Sequence, residues 1–192
     1  MTDLALNAKS TAVLAMDFQN RIVDMVADKD ALVARTAALL DAARAAGALV
    51  IYVVVGFRPG FPEVSSRNKS FSGIKERGGF GAGDASTEIH ATVAPKEDEV
   101  VVTKHRVGAF LGTDLEMVLR AHNIDTLVLT GISTSGVVLS TLRYAADSDY
   151  KLVVVQNCCA DPDAEVHRVL TEKVYPRQAD VVLAEDVVAA LA

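Results

Sequence analysis

Tryptophan is absent, and aromatic residues make up only 5% of the 192-residue chain, so its interior must be built mainly from aliphatic side chains. Cysteine is scarce: the two present are adjacent, Cys158-Cys159. Neighbouring cysteines bridge only with strain, and no Cys-x-x-Cys or Cys/His ligand spacing occurs. A disulfide scaffold and a zinc site are therefore not expected. The four histidines, His90, His105, His122 and His167, are scattered, so no metal is expected. There is no basic excess: 19 Lys and Arg against 25 Asp and Glu give a net charge of −6, which argues against nucleic acid as a partner. No apolar run approaches the length of a membrane span, so no membrane partner is expected. The start, Met1-Thr2-Asp3-Leu4, lacks a basic flank and a long apolar segment, so no signal peptide is expected and a cytoplasmic location is.

What remains is hydrophobic: 51% of the residues are apolar, enough at this length for a stable core. One domain over 1–192 is expected, without repeat or linker. Thr11 to Met16 reads as a first buried strand, followed by a helix from about Asp30 to Ala46 that Gly47 stops. Leu49 to Val55 is a second strand, nearly all apolar, as for a strand covered on both faces. Residues 56–98 read as a long irregular loop over a site. Its glycines (Gly73, Gly78, Gly79, Gly81, Gly83) follow no strand and lack the Lys-Ser/Thr of a phosphate loop, so nucleotide binding is not expected. Val100 to Thr103 is a third strand. A helix through Leu115, Val118 and Leu119 follows, with Thr113 and Glu116 forming a capping box. Thr126 to Thr130 is a fourth strand and Lys151 to Gln156 a fifth. A helix over 161–174 with Pro162 in its first turn comes next. Val181 to Ala184 is a sixth strand, and a short helix ends the chain. Strands alternating with helices predict an α/β fold, a three-layer α/β/α arrangement on a six-stranded, mostly parallel sheet.

In such folds ligands bind at the carboxyl ends of the strands. Those ends carry Asp17 and Gln19, Arg58, Lys104 and Arg106, and Ser133 and Thr134. An acid directly after five apolar residues is expected to be partly buried and to need a cation or several donors, and Lys104 is the natural partner. Such a pair in a dry cleft can move protons near neutral pH, or can merely fix the loops. The run Leu127 to Val138 reads as a strand breaking at Gly131 into a helix N-terminus, whose free amides suit an anion or an oxyanion.

Three segments carry a resemblance: Asp17-Phe18-Gln19-Asn20, Lys104-His105-Arg106-Val107-Gly108-Ala109-Phe110, and Thr130 to Val138. In order and separation they resemble the signatures of the isochorismatase-like hydrolases (the cysteine hydrolase superfamily), over nearly the whole chain. The resemblance implies an isochorismatase-like fold and a small-molecule hydrolase. The family's amidases use an Asp–Lys–Cys triad, which maps onto Asp17, Lys104 and position 137. It also implies a cis peptide before Ser133. Position 137 is valine, which has no nucleophilic atom.

Isochorismatases likewise lack the thiol. Their acid protonates an enol carbon of a vinyl ether and water completes the cleavage. The expectation is therefore C–O hydrolysis of a vinyl ether or similar substrate, favoured over amide hydrolysis, with Asp17 as acid/base and Lys104 as its partner. Gln19, Arg58, Arg106, Phe110, Ser133 and Thr134 are the expected substrate-binding or oxyanion residues, the two arginines for carboxylates. The alternatives are a family member that has lost catalysis and binds a small ligand or protein, and an amidase with its thiol relocated to Cys158 or Cys159. The resemblance further implies a homo-oligomer, dimer or tetramer. No cofactor is expected, and His90 is read as a surface or packing residue.

Overall fold

The computed structural model describes residues 4–81 and 83–191. The expectation about a signal peptide falls on Met1–Asp3, outside these residues. Six strands, β1 (Thr11–Met16), β2 (Leu49–Val55), β3 (Val100–Lys104), β4 (Thr126–Ile132), β5 (Lys151–Ala160) and β6 (Asp180–Val182), form one sheet in the order β3-β2-β1-β4-β5-β6. Every pairing is parallel, so the sheet is wholly rather than mostly parallel. The order reverses direction between β1 and β4, where an open α/β sheet offers a crevice at its carboxyl edge.

Each central strand feeds two cores. Along β1, Val13 and Ala15 face one hydrophobic cluster while Ala12, Leu14 and Met16 face the other. Helices α1 (Asn20–Val23), α2 (Lys29–Ala46) and α7 (Ala184–Leu191) supply the first cluster. Helices α4 (Leu115–Ala121) and α5 (Leu139–Asp147) supply the second. Strand β1 is buried along its whole length, as a near-continuous apolar run requires.

The structure differs from the sequence reading at several boundaries. Helix α3 (Lys69–Arg77) stands in the segment expected to be irregular, capped by the Asn68 side chain, which accepts from the Phe71 amide. Strand β5 runs on to Ala160 past the polar Gln156-Asn157. The pairing jumps from Leu129 opposite Val154 to Gly131 opposite Cys159, an irregularity that accommodates them. Helix α6 (Ala164–Val169) begins after Asp163, whose carboxylate accepts from the Glu165 and Val166 amides; Pro162 therefore precedes the helix. The helical path then continues through wider and tighter turns to Arg177. Strand β6 ends at Val182, since Ala184 already opens α7. Thr113 Oγ1 does accept from the Leu115 amide at 3.3 Å, but Glu116 pairs with Arg120 and Tyr144, so no reciprocal capping box forms.

Gly131 is the position where backbone freedom is required. Its φ is 153°, and a Cβ there would lie 2.6 Å from the Met16 carbonyl oxygen. The atoms it would meet are the Met16 carbonyl and Cβ, none of them the flexible end of a side chain. Gly131→Ala is expected to cost about 2–4 kcal/mol, combining overpacking and backbone strain, and to read as a lower midpoint in urea unfolding. An unchanged midpoint would show that β1 and β4 can separate at this point.

Candidate active site

The carboxyl ends of β1, β2, β3 and β4 converge on a cavity of about 440 Å³. Asp17 leaves β1 with φ 59°, a conformation aspartate tolerates better than most residues, while its amide still donates to the Val53 carbonyl at 2.8 Å. Lys104 is the last residue of β3. The two strands lie on either side of β2, and the side chains meet across its end with Nζ 2.9 Å from Asp17 Oδ2. Both are buried, at 5% and 2% exposure. Nζ also donates to the Arg106 carbonyl at 3.2 Å.

The other carboxylate oxygen, Asp17 Oδ1, is buried and has no hydrogen-bond partner. An orphaned buried acceptor is costly unless a proton or a ligand group satisfies it. Burial pushes the Asp17 carboxyl above its ordinary value of 3.8, against the opposing pull of the Lys104 charge. Burial thereby favours the protonated form of the carboxyl, and the Lys104 charge the ionised form.

Ile132, Ser133, Gly136 and Val137 bring the end of β4 and the following turn to the same cavity. The Ile132–Ser133 peptide is cis, as the resemblance implied. A π-helical turn, Thr134–Val138, leads into α5. Part of the expected anion seat at this N-terminus is taken. Asp161 Oδ2 accepts from the Ser135 amide at 2.8 Å and from its hydroxyl at 2.7 Å. The Gly136 and Val138 amides both donate to the Ser133 carbonyl. A carboxylate of the protein thus already sits where the helix dipole favours an anion.

The remaining candidates divide by position. Ser133 lines the cavity with Asp17, Lys104 and Val137. Gln19 is buried behind it: Nε2 donates to the Val55 and Thr87 carbonyls at 3.0 and 2.7 Å, and Oε1 accepts from the Val55 amide. It pins the end of β2 and the 85–89 turn beside Asp17. Thr134 is buried with its hydroxyl 2.8 Å from His167 Nδ1, and its carbonyl accepts from the Tyr175 hydroxyl. Phe110 stacks on Tyr144, centroids 4.5 Å apart, within the second core. Arg58 is mostly exposed and pairs with Glu63 at 2.7 Å. The Arg106 guanidinium donates to the His105 and Glu63 carbonyls. Neither arginine lines the cavity. His90 takes a turn role, its Nδ1 accepting from the Thr92 amide.

The sequence reading did not single out the cavity's apolar wall. Ile22 and Met25 come from α1 and its exit, Phe71 and Ile74 from α3, Phe80 from the loop beyond, and Val107 from the segment after β3. Phe71 and Ile74 are three residues apart, a helical spacing that could have exposed α3.

The cysteines lie elsewhere. Cys158 is fully buried in the first core and Cys159 nearly so in the second, where its thiol faces the Leu129 carbonyl. Burial pushes the Cys158 thiol up to about 11 and raises Cys159 as well. Neither lines the cavity, which removes the basis for a relocated thiol. Iodoacetamide is therefore expected to leave the activity of the folded chain intact. Stoichiometric alkylation that inactivates it would restore the thiol reading.

A family model described as the isochorismatase domain matches residues 11–186. The chain belongs to the isochorismatase family. It is similar to the uncharacterized isochorismatase family protein YecD of Escherichia coli O157:H7, 32% identical over 191 residues, covering 98% of this chain and 100% of that protein. The ureidoacrylate amidohydrolase RutB of Variovorax paradoxus is 31% identical over 176 residues, covering 80% and 70%. Among solved structures, an isochorismatase family protein of Burkholderia thailandensis superposes with a TM-score of 0.85 at 31% identity, covering 97% of each chain. In this isochorismatase family member the acid and the lysine lie at the carboxyl edge of the sheet, beside the point where the strand order reverses. Among the described residues no helix is long and apolar enough to cross a membrane.

Proposed function

We propose that the chain is a hydrolase of a small-molecule substrate in which Asp17 acts as general acid and base, Lys104 is its charge partner, and water is the nucleophile. The observation that carries this reading is Asp17: its Oδ1 is buried and unpartnered, and the residue lines the cavity together with Val137. Val137 stands where the resemblance puts the family nucleophile, so no acyl-enzyme can form on it. Acid catalysis of vinyl-ether cleavage needs no thiol. Asp17 gives its proton to the enol carbon, and the C=C electron pair forms the new C–H bond. The oxygen-stabilised cation left behind takes up water, which returns a proton to the carboxylate. The hemiketal then collapses to a carbonyl compound and an alcohol.

Amide hydrolysis by water activated at Asp17 is the second reading, favoured by the amidohydrolase names of relatives such as the maleamate amidohydrolase of Pseudomonas putida, 29% identical over 156 residues. A panel of charged and uncharged vinyl ethers, isochorismate, nicotinamide and carbamoyl amides separates the two. Turnover of vinyl ethers alone, lost in Asp17→Asn, is the expected result; turnover of amides alone would overturn it.

Lys104 bears on the pH dependence. Its charge holds the Asp17 carboxyl down, so Lys104→Met raises that carboxyl further. The acid form then persists to higher pH, and the falling limb of kcat/KM moves upward. For an acid whose folded value is raised, the stability it confers is complete below its ordinary value of 3.8 and is lost as pH rises through the raised value. Lys104→Met is therefore expected to lose stability with rising pH over a window that extends higher than in the unsubstituted chain. A falling limb that stays in place would remove Asp17 as the titrating acid.

A further inference from the structure

We propose that this cavity selects an uncharged, largely apolar substrate, and that Phe71 and Ile74 of α3, with Ile22 of α1, set that preference. The inference rests on reading the cavity as the reaction site and adds the class of molecule it takes.

Charge is the first argument. Among the described residues, the charged groups lining the cavity are Asp17 and Lys104, and they are paired with each other at 2.9 Å. While the pair is ionised, a substrate carboxylate entering beside them would have to share Lys104 with a buried carboxylate already in contact with it. When Asp17 holds its proton, the ammonium still donates to the Arg106 carbonyl, and the apolar walls set the preference.

Several nearby groups that could bind an anion are engaged elsewhere. Arg106 donates to two backbone carbonyls and Arg58 pairs with Glu63. Arg21 lies over the Phe80 ring, 5.6 Å from its centroid. At the N-terminus of the turn into α5, the Ser135 amide and hydroxyl hold the Asp161 carboxylate. That carboxylate sits next to Pro162, which lines the cavity, so it repels a second anion at the same place.

The walls are the second argument. Ile22, Met25, Phe71, Ile74, Phe80 and Val107 offer no side-chain donor. An ion moved from water to such walls loses its hydration without replacement, whereas an apolar body gains from burial. A volume of about 440 Å³ lies toward the lower end of small-molecule sites, about 300–1,000 Å³. Beside the Asp17–Lys104 pair, the polar side chains in the lining are the hydroxyls of Ser70 and Ser133, which are neutral and bring no charge to balance an anion.

A matched pair tests this: acetophenone and 4-acetylbenzoate, which differ by one carboxylate, titrated into the intact chain at pH 7 and followed by ligand-observed NMR. Acetophenone is expected to bind at least tenfold more tightly. Ile74→Arg, which places a guanidinium in the α3 wall at a half-buried position, is expected to shift the ratio at least tenfold toward 4-acetylbenzoate. Equal binding of the pair, tighter binding of the carboxylate, or no binding of either would overturn the proposal. So would an unchanged ratio in folded Ile74→Arg. Binding does not require turnover. Selective binding of acetophenone without hydrolysis of α-methoxystyrene, its enol methyl ether, supports this inference while removing the proposed chemistry. Preferred hydrolysis of the carboxylated vinyl ether does the reverse.

Discussion

Asp17→Asn is expected to lower vinyl-ether turnover by about 10²–10⁴-fold, the range typical of a lost general acid. The amide is the same size as the carboxyl but has no acidic proton to give to carbon. Its effect on folding is smaller. Deleting one partner of a buried ion pair costs about 3–5 kcal/mol, whereas Asn keeps an oxygen for Lys104, which also retains the Arg106 carbonyl. The cost should fall below that range, and circular dichroism with urea unfolding checks that the variant is folded. Folded protein with full turnover would remove Asp17 from the chemistry. A Ser133→Ala variant offers a useful contrast: Ser133 shares the cavity but carries no proton at the right acidity, so a much smaller loss is expected there.

Val137→Cys is expected to have the second large effect, a gain. Val137 is 2% exposed and lines the cavity with Asp17 and Lys104. Cysteine is smaller, so the substitution introduces a thiol without overpacking, at about 0.5–1.5 kcal/mol for lost packing. A thiol beside a carboxylate base and an ammonium is in a position to be activated. Amide or carbamoyl hydrolysis is expected to rise at least about 10²-fold above the unsubstituted chain and to be abolished by iodoacetamide. It should also be lost when Asp17→Asn is added, since the thiol then has no base. Alkylation of Val137→Cys without any gain in amide turnover would mean that the turn after β4 does not present this position to a substrate carbonyl.

The strands were legible because this sequence writes buried parallel strands as short apolar runs between polar exits, and β1 and β2 fall on the expected residues. Helix α3 was hidden by its composition: Lys69 to Arg77 holds a glycine, two serines and only two large apolar residues, so its signal was Phe71 and Ile74 three apart. The tail of β5 was hidden by Gln156-Asn157, which reads as a strand end until the jump in pairing with β4 is seen.

The same division runs through the site. Asp17 and Lys104 were legible as partners because parallel strands bring all their exits to one edge. The arginines were not, because the chain after an exit is free to turn. Arg58 swings out to Glu63, and Arg106 folds back onto backbone carbonyls. Nor was the fate of the helix N-terminus legible, since Asp161 reaches it from 26 residues further along the chain. Those long-range choices keep both arginines out of the cavity lining and place a carboxylate on the Ser135 amide.

The most direct measurement is hydrolysis of a vinyl ether in deuterium oxide by the chain and by Asp17→Asn, with the product read by mass spectrometry and the rate by NMR. The account predicts one deuterium on the former enol carbon, a slower rate than in ordinary water, and loss of the enzymatic reaction in Asp17→Asn. Enzymatic cleavage that leaves this carbon undeuterated, or that proceeds undiminished without the Asp17 carboxyl, would contradict it.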